Sequence, residues 1–305
     1  MCSILGVIYR NPQHSIDLNE FKRINRTLQH RGPDDSGVIK FGNLIMGNNR
    51  LSIIGIESKH AKQPIKKNGN ALIFNGEIYN YKHISYQLEN DGVKCSNTSD
   101  TEVLFKALMY WGIDKTLKKI DGMFAFAFYS KNDGIFLARD QMGEKPLYWS
   151  YQNNRFWFSS EIKSILKGQN NKAEPNMEKI NEFFYSGKIY GKNTFFKDIF
   201  EVQPGEYINF KKDLSKINKK IYWNVENFHS NQSFIYYNNI KDNFKKKLNS
   251  SINSCSVSDV SVGVFLSGGL DSNTILNSLL YSDQKNIELF FADNQQKNSS
   301  EYDNV

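Results

Sequence analysis

Cysteine is scarce in this sequence, which excludes a fold held together by disulfides. The three cysteines, Cys2, Cys95 and Cys255, are odd in number and far apart in the 305-residue chain. This pattern fits neither a disulfide framework nor a zinc-binding motif. The five histidines also fall in none of the spacings that bind transition metals. We therefore expect reduced thiols and no protein-bound transition metal.

Long apolar runs are also missing. No stretch approaches the roughly 20 apolar residues that span a bilayer, and the N-terminus lacks the basic-then-apolar layout of a signal peptide. We therefore expect a cytoplasmic chain without a membrane partner. The net charge is +7, but the lysines are scattered among asparagines and form no stripe with aromatic residues. This distribution favours a solvated surface, so we expect no nucleic-acid partner.

The remaining composition, 39% hydrophobic and 23% charged residues, is typical of a globular protein, and the length suits two domains. Amphipathic helices are predicted at 18–29, Tyr81–Asn90 and 99–111, the last beginning with a Ser-x-x-Glu capping box. Short β-rich runs dominate the first 160 residues and predict two packed sheets with helices outside them. These runs are 2–9, 38–41, 44–50, 71–75, 123–129, 135–139, 147–151 and 155–159.

The pattern changes near residue 211. Residues 211–234 are rich in Lys, Asn and Ser, which indicates a linker. After it come a helix pattern, a buried strand over 261–266, a glycine turn, a helix and a second strand, the start of an open parallel α/β sheet. We therefore predict one domain over 1–210 and a second over 235–305.

Two short stretches indicate chemistry. Removal of the initiator methionine would make Cys2 the N-terminal residue, and a free α-amine, with a pKa of about 7.7–8.0, can accept the proton of the thiol beside it. The turn S-G-G-L-D-S (267–272) follows a strand and precedes a helix, a context in which glycines and helix N-terminal amides bind phosphates. Because an aspartate repels phosphate unless Mg²⁺ lies between them, Asp271 is predicted to bind Mg²⁺; the alternative is a helix N-cap.

This turn resembles the pyrophosphate loop of enzymes that split ATP into AMP and pyrophosphate. Together with Cys2, it makes the chain resemble the glutamine-dependent asparagine synthetases, which are class II glutamine amidotransferases. Nine runs typical of that family occur in order: RGPDD (31–35), RLSIIG (50–55), FNGEIYNY (74–81), SDTEVLF (99–105), GMFAFAFY (122–129), RDQMGEKPLYW (139–149), SSEIKSIL (159–166), QPGEY (203–207) and SGGLDS (267–272).

The resemblance implies an α/β fold: a four-layer αββα N-terminal-nucleophile glutaminase domain, followed by an incomplete parallel α/β domain. It implies that Cys2 is the nucleophile and that the Asn75 side chain and the Gly76 backbone N–H stabilise the oxyanion. Taken alone, Asn75-Gly76 is also typical of a hairpin turn. Glutamine would be bound by Arg50, Glu77 and Asp100. The ATP pyrophosphate would be bound by Leu266, Ser267, Gly268, Gly269, Asp271 and Ser272, with Mg²⁺ at Asp271.

The chain departs from the family pattern in two places. Ser3 replaces the usual glycine, and we expect its side chain to crowd glutamine or displace Cys2, a shift that lowers the rate steeply. Only residues 272–305 follow Asp271, too few for a complete parallel sheet. We therefore expect the second domain to be truncated, with Glu301 at its nucleotide site and the acceptor pocket absent.

These observations predict a glutamine-hydrolysing asparagine synthetase, which converts glutamine, aspartate and ATP with Mg²⁺ into glutamate, asparagine, AMP and pyrophosphate. One alternative is a glutaminase half that delivers ammonia to a partner synthetase chain or amidates another carboxylate. Another is a non-catalytic remnant or binding module. A second chain that completes the synthetase domain and a homodimer are both left open as partners.

Overall fold

The computed structural model describes residues 1–11, 16–170, 173–211, 216–228, 237–281 and 287–292. Contacts divide the chain into two units, Met1–Phe228 and His229–Val305. The position predicted for Glu301 lies outside the described residues. Each unit is an α/β structure of its own.

The first unit is built from two sheets of six antiparallel strands. Its strands are β1 (Ser3–Tyr9), β2 (Asp35–Phe41), β3 (Leu44–Arg50), β4 (Ile65–Lys67), β5 (Asn70–Ile78), β6 (Gly122–Ser130), β7 (Gly134–Arg139), β8 (Tyr148–Gln152), β9 (Arg155–Ser159), β10 (Phe200–Glu201), β11 (Glu206–Phe210) and β12 (Ile217–Ile221). The first sheet has the order β10-β8-β9-β1-β3-β2, and the second has the order β12-β11-β7-β6-β5-β4.

The α-helices of the first unit are α1 (Leu18–Arg26), α2 (Tyr81–Asn90), α3 (Asp100–Leu117), α4 (Ile162–Gln169) and α5 (Met177–Ser186). The helices α1 and α4 pack against the first sheet, and α3 packs against the second. The predicted end of α3 at residue 111 coincides with a break at Gly112, whose φ of 75° interrupts the helix. The sequence patterns did not predict α4, α5, β4 or the strands β10 to β12 of the first unit.

Strand β1 is buried on both faces because a different layer covers each face. Its alternate residues Ile4 and Ile8 pack in one apolar cluster with Ile73 of the second sheet. Leu5 and Val7, on the opposite face, pack in another cluster with residues of α1 and α4. This alternation is the two-residue period of a strand. The layer order is therefore helix, sheet, sheet, helix, as the αββα prediction stated.

Strand β6 has the same double burial in the second sheet. Ala125 and Ala127 belong to the cluster between the sheets. Phe128 packs edge-on against Phe105 of α3, with ring centroids 6.2 Å apart. Small residues therefore face the other sheet, and the phenylalanines fill the space beneath the helices.

Strand β12 lies within the stretch predicted as a linker. Residues 217–221 pair antiparallel with β11, with Asn218 opposite Asn209. The Lys and Asn residues that indicated a linker belong to an edge strand, where exposed charges prevent pairing with a further strand. The first unit extends to Phe228, so the linker prediction is wrong for the residues of β12.

The second unit contains α6 (Tyr237–Cys255), β13 (Gly263–Leu266), α7 (Leu270–Leu280) and β14 (Glu288–Phe291). Strands β13 and β14 pair in parallel, with Val264 opposite Leu289. Val264, Leu266 and Leu279 form the buried cluster between strand and helix. This is the predicted strand, turn, helix and parallel strand. Among the described residues, no helix is both long and apolar enough to cross a membrane.

We expect Ile8→Ala to lower the free energy of unfolding of the first unit by about 3 kcal/mol, because the side chain is buried between the sheets. The exposed Ile221 is the matched control, and its substitution by alanine should cost under about 0.5 kcal/mol. Denaturant unfolding followed by tryptophan fluorescence measures both, since all four tryptophans lie in the first unit. Equal losses in the two variants would contradict this packing.

Candidate active site

One pocket of the first unit brings together the residues predicted for the glutaminase site. Its cavity has a volume of about 140 Å³, room for a small molecule. Strand geometry explains the convergence: Cys2 precedes β1 and Arg50 ends β3 in one sheet, whereas 75–77 lie in β5 of the other. The predicted residues that line it are Cys2, Arg50, Asn75, Gly76, Glu77 and Asp100. Met1, Leu51, Gln63, Met123 and Lys145 are among the other lining residues.

The Cys2 thiol lies beside the backbone of Leu51. Its Sγ is 3.4 Å from the Leu51 nitrogen and 3.5 Å from the Leu51 oxygen. Burial raises the pKa of the Cys2 thiol, so the thiol needs a base to become a nucleophile at neutral pH. Met1 precedes Cys2 and carries the α-amine, whose pKa is lowered chiefly by burial.

Arg31 fixes the backbone of the cysteine, a role that sequence reasoning did not assign. Its Nε donates to the Cys2 carbonyl oxygen at 3.1 Å. Its Nη1 is 3.2 Å from the Glu161 carboxylate, which also contacts His30 at 2.8 Å. The run R-G-P-D-D contained the signal, but only the fold places this arginine beside the backbone of Cys2.

The Asn75 side chain is buried, and neither its Oδ1 nor its Nδ2 has a hydrogen-bond partner among the described residues. An unsatisfied buried polar group costs about 1–3 kcal/mol, so such groups need an explanation. Because Asn75 lines the same pocket as Cys2, a ligand in that pocket can supply the missing partner.

Gly76 lies where β5 meets β6 most closely. A Cβ atom at this position would be 2.2 Å from the Met123 oxygen and 2.7 Å from the Phe124 Cα, so only glycine fits. Asn75 and Gly76 pair with Ala125 and Phe124 inside the ladder. The alternative of a hairpin turn at Asn75-Gly76 is therefore wrong.

Arg50 is a buried cation whose guanidinium is held at one nitrogen. Its Nη2 donates to the carbonyl oxygens of Ile54 and Gly55 at 2.9 and 3.0 Å. Among the described residues, no carboxylate lies within ion-pairing distance of it. This arrangement suits a carboxylate ligand, which a guanidinium can bind through two parallel hydrogen bonds.

Asp100 is a buried carboxyl at the start of α3. Its Oδ2 accepts a hydrogen bond from the Ile78 N–H at 3.1 Å, and its Oδ1 accepts one from the Thr101 N–H at 2.7 Å. Burial raises the pKa of Asp100 to about 7, and the charge of Glu77 contributes in the same direction. The site therefore holds a carboxyl that a bound cation would stabilise in its ionised form.

The capping box predicted at this helix start does not form. Ser99 occupies the N-cap position, but its side chain caps no N–H group. Glu102 accepts a hydrogen bond from the Ser96 N–H at 3.1 Å and contacts Lys106 at 2.5 Å instead. The Glu102 carboxylate therefore binds the loop before α3, and not the N-cap N–H group that it would bind in a capping box.

Ser3 does not line the pocket. It is fully buried, and its Oγ accepts a hydrogen bond from the Asn49 Nδ2 at 3.1 Å. The same Asn49 nitrogen lies 3.0 Å from the Asn25 carbonyl oxygen of α1. Successive strand residues point to opposite faces, so the expectation that the Ser3 side chain crowds glutamine is wrong. Its hydroxyl instead ties β1 to β3.

The turn S-G-G-L-D-S (267–272) of the second unit, which is predicted to bind phosphate, joins β13 to α7. Gly268 has a φ of 70°, and the Ser267 Oγ lies 3.2 Å from the Ser272 Oγ. Gly269 is the N-cap of α7, and Asp271 lies in the first turn. The alternative reading of Asp271 as an N-cap is therefore wrong. No group of three or more potential metal-ligating His, Cys, Asp or Glu residues occurs in the described part of the chain.

We expect Ser3→Gly to lower the free energy of unfolding by about 1 kcal/mol, because it removes a buried hydrogen bond and adds backbone freedom. If the Ser3 side chain instead crowded the pocket, Ser3→Gly would not lower the free energy of unfolding and would improve the pocket around Cys2. The rate at which a small alkylating reagent modifies Cys2 should therefore stay within about twofold of the unsubstituted chain. Urea unfolding and timed alkylation measure the two quantities, and a stabilised or strongly more reactive variant would disprove this assignment.

Comparisons with known proteins agree with this geometry. A family profile described as "Glutamine amidotransferase domain" matches residues 1–223, and one described as "Asparagine synthase" matches 243–305. The asparagine synthetase [glutamine-hydrolyzing] 3 of Bacillus subtilis is 35% identical over 281 residues, which are 90% of this chain and 44% of that protein. The asparagine synthetase [glutamine-hydrolyzing] 1 of the same organism is 33% identical over an alignment of 308 residues, gaps included. This alignment covers 99% of this chain and 47% of that protein.

The chain thus spans about half the length of these relatives. A solved structure of glutamine phosphoribosylpyrophosphate amidotransferase from B. subtilis is similar in fold, with a TM-score of 0.52 at 18% identity. The structural match covers 94% of this chain and 65% of the amidotransferase chain. Because the amidotransferase profile matches residues 1–223, well over half of the sequence, the chain belongs to the glutamine amidotransferase domain family.

Proposed function

We propose that the first unit hydrolyses the side-chain amide of glutamine with Cys2 as nucleophile. The observation that carries this proposal is the buried side-chain amide of Asn75, which has no hydrogen-bond partner in the part of the chain that the structure describes and lines the same pocket as Cys2. A polar donor held in place before the ligand arrives is what an oxyanion hole requires, because the donor need not reorganise during the reaction. Membership of the amidotransferase family supports the same chemistry.

The reaction begins once Met1 is removed and the α-amine belongs to Cys2. The amine takes the thiol proton, and the sulfur attacks the carboxamide carbon of glutamine. The Asn75 Nδ2 and the Gly76 N–H stabilise the resulting oxyanion. The C–N bond then breaks, the departing nitrogen takes the proton from the ammonium, and water hydrolyses the thioester to glutamate.

The charged residues of the pocket hold the other end of glutamine. Arg50 presents a guanidinium to the α-carboxylate. Asp100 presents a carboxylate to the α-ammonium, and Glu77 lines the same pocket. Arg31 supports the reaction indirectly, since its hydrogen bond to the Cys2 carbonyl oxygen fixes the nucleophile.

We propose further that the whole reaction transfers this ammonia to aspartate and consumes ATP. Ser267, Gly268 and the N-terminus of α7 fit a pyrophosphate, because hydroxyl and backbone N–H donors and a glycine with positive φ lie together. Asp271 would hold Mg²⁺ only together with phosphate oxygens, since a lone carboxylate makes no complete site. Mg-ATP held there would supply the activation of the acceptor carboxylate for attack by ammonia. The asparagine synthetase names of the relatives support aspartate as acceptor.

We expect glutamine labelled with ¹⁵N in its side-chain amide to release labelled ammonium, and Asn75→Ala to lower kcat by about 10²–10³-fold. Cys2→Ala should abolish release. The matched control is Asn209→Ala, which removes a buried asparagine of β11 that lies outside the pocket and should leave kcat within about threefold. NMR follows the label, and an unchanged rate in Asn75→Ala or Cys2→Ala would refute the proposal.

The same experiment with aspartate and Mg-ATP tests the second proposal. Label in the amide of asparagine supports synthesis by this chain. Label in ammonium alone would leave a glutaminase that passes ammonia to a partner chain or another carboxylate acceptor, and it would refute the transfer to aspartate by this chain. No release of label at all would favour a non-catalytic module.

We expect glutamine to bind more weakly as the pH falls below about 7, the value to which the pKa of Asp100 is raised. Below that pH the carboxyl is protonated and no longer attracts the α-ammonium, so the dissociation constant should rise by up to about tenfold per pH unit. Calorimetric titration of the Cys2→Ala variant isolates binding from chemistry. Asp100→Asn should bind glutamine weakly at every pH. A dissociation constant for glutamine that does not change with pH in the Cys2→Ala variant would contradict the role of Asp100 in binding the α-ammonium.

A further inference from the structure

Lys145 places a buried ammonium in the pocket beside Cys2, and the proposed mechanism gives this residue no role. The residue is 6% exposed and lines the pocket together with Cys2, Asn75 and Glu77. Lysine is almost never this buried unless its charge is paired. A buried cation at a site that must release and accept protons therefore needs an explanation.

The loop that carries Lys145 is rigidly built. The buried Asp140 carboxylate accepts a hydrogen bond from the Lys145 N–H at 3.0 Å and another from the Phe124 N–H of β6 at 3.1 Å. The same carboxylate accepts from the N–H groups of Met142 and Glu144. Arg139 donates from its Nε to the Lys145 carbonyl oxygen at 2.8 Å. The ammonium is therefore aimed from a fixed backbone.

The ammonium itself has no counterion in contact. Its Nζ lies 3.7 Å from the Met1 Sδ, a weak acceptor. In the part of the chain that the structure describes, no carboxylate oxygen forms an ion pair with it. The other cation behind the nucleophile, Arg31, is paired with Glu161. The carboxylates of Glu77 and Glu144 interact electrostatically with Lys145 but form no ion pair with it.

In the structure the N-terminal amine belongs to Met1, the residue before Cys2, and both burial and nearby charges shift its pKa. Burial is the main cause that lowers the pKa of the Met1 amine, and the charges of Arg31 and Lys145 lower it further. Cys2 and Asp34 act in the opposite direction. The pocket also contains Arg50, Glu77 and Asp100.

We infer that Lys145 is a positioning residue that keeps the α-amine of Cys2 unprotonated near neutral pH, so that the amine can accept the thiol proton. The inference rests on the proposed glutaminase function. A like charge nearby disfavours protonation of the amine, whereas a solvated α-amine is largely protonated at pH 7. After the thiol proton has moved, the same charge makes the ammonium a stronger acid toward the departing nitrogen. Lys145 acts only through the amine and does not bind glutamine.

The test compares Lys145→Met with Lys145→Arg in protein whose Cys2 is N-terminal. The first variant keeps most of the side-chain volume without the charge, and the second keeps the charge. We expect Lys145→Met to raise the amine pKa by about one unit, which moves the acid limb of the kcat/KM profile to higher pH. The loss should then be up to about tenfold at low pH and small at high pH. Lys145→Arg should retain the acid limb.

A second readout does not depend on glutamine hydrolysis. An N-terminal cysteine condenses with an aldehyde to a thiazolidine, with loss of water, and this reaction requires the unprotonated amine. The pH dependence of thiazolidine formation with glyoxylate therefore reports the amine pKa even if the protein hydrolyses no glutamine. Lys131→Met, which removes an exposed lysine outside the pocket, is the control for charge at a distance.

An unshifted amine pKa in Lys145→Met would overturn the inference, and so would an equal loss of rate at every pH in both Lys145 variants. Lys145→Gln repeats the neutral substitution with a shorter polar side chain in case the methionine variant folds poorly. A shifted thiazolidine profile without glutamine hydrolysis in any variant would support the effect of Lys145 on the amine while refuting the proposed function.

Discussion

The face-to-face packing of two six-stranded sheets is the constraint on which the pocket depends. Cys2, the proposed nucleophile, precedes β1 of one sheet, and Asn75 and Gly76, the proposed oxyanion donors, lie in β5 of the other. Small residues between the sheets, Ala125 and Ala127, share a cluster with Ile4, two positions after Cys2. Because packed cores do not deform continuously, the distance from thiol to amide is fixed by this interface. A change in the packing between the two sheets would therefore also change the distance between the Cys2 thiol and the Asn75 amide.

The pocket is energetically unfavourable when no ligand fills it. Among the described residues, the Asn75 amide has no hydrogen-bond partner and the buried Lys145 has no counterion in contact. Burial also raises the pKa of Asp100 to about 7. Each is tolerated because rigid backbone holds it: β5 carries Asn75, two N–H groups bind Asp100, and Asp140 fixes the loop of Lys145. These groups lower the stability of the fold, and a ligand bound in the pocket would supply the partners that restore it.

Sequence reasoning predicted what depends on local pattern. The period-two runs located most strands, and the ordered motifs named six residues that converge in one pocket. It failed where tertiary context decides. The lysines of β12 indicate a linker until β11 is known to pair with them, and Asn75-Gly76 is typical of a turn until β6 lies beside it. Arg31 and Lys145 contact Cys2 and Met1, which are distant from them in sequence, and no spacing rule reveals such contacts.

The position of Met1 has a consequence for when activity can begin. Its thioether lies 3.9 Å from the Arg31 Nη2 and 3.7 Å from the Lys145 Nζ, within the pocket that glutamine would enter. If Cys2 must carry the free amine, a chain that still carries Met1 is a latent form, because the Cys2 nitrogen is then part of a peptide bond. Met1 is 57% exposed, so an aminopeptidase can still reach it. Processing of the nascent chain would then set the fraction of active molecules, independently of how much protein is made.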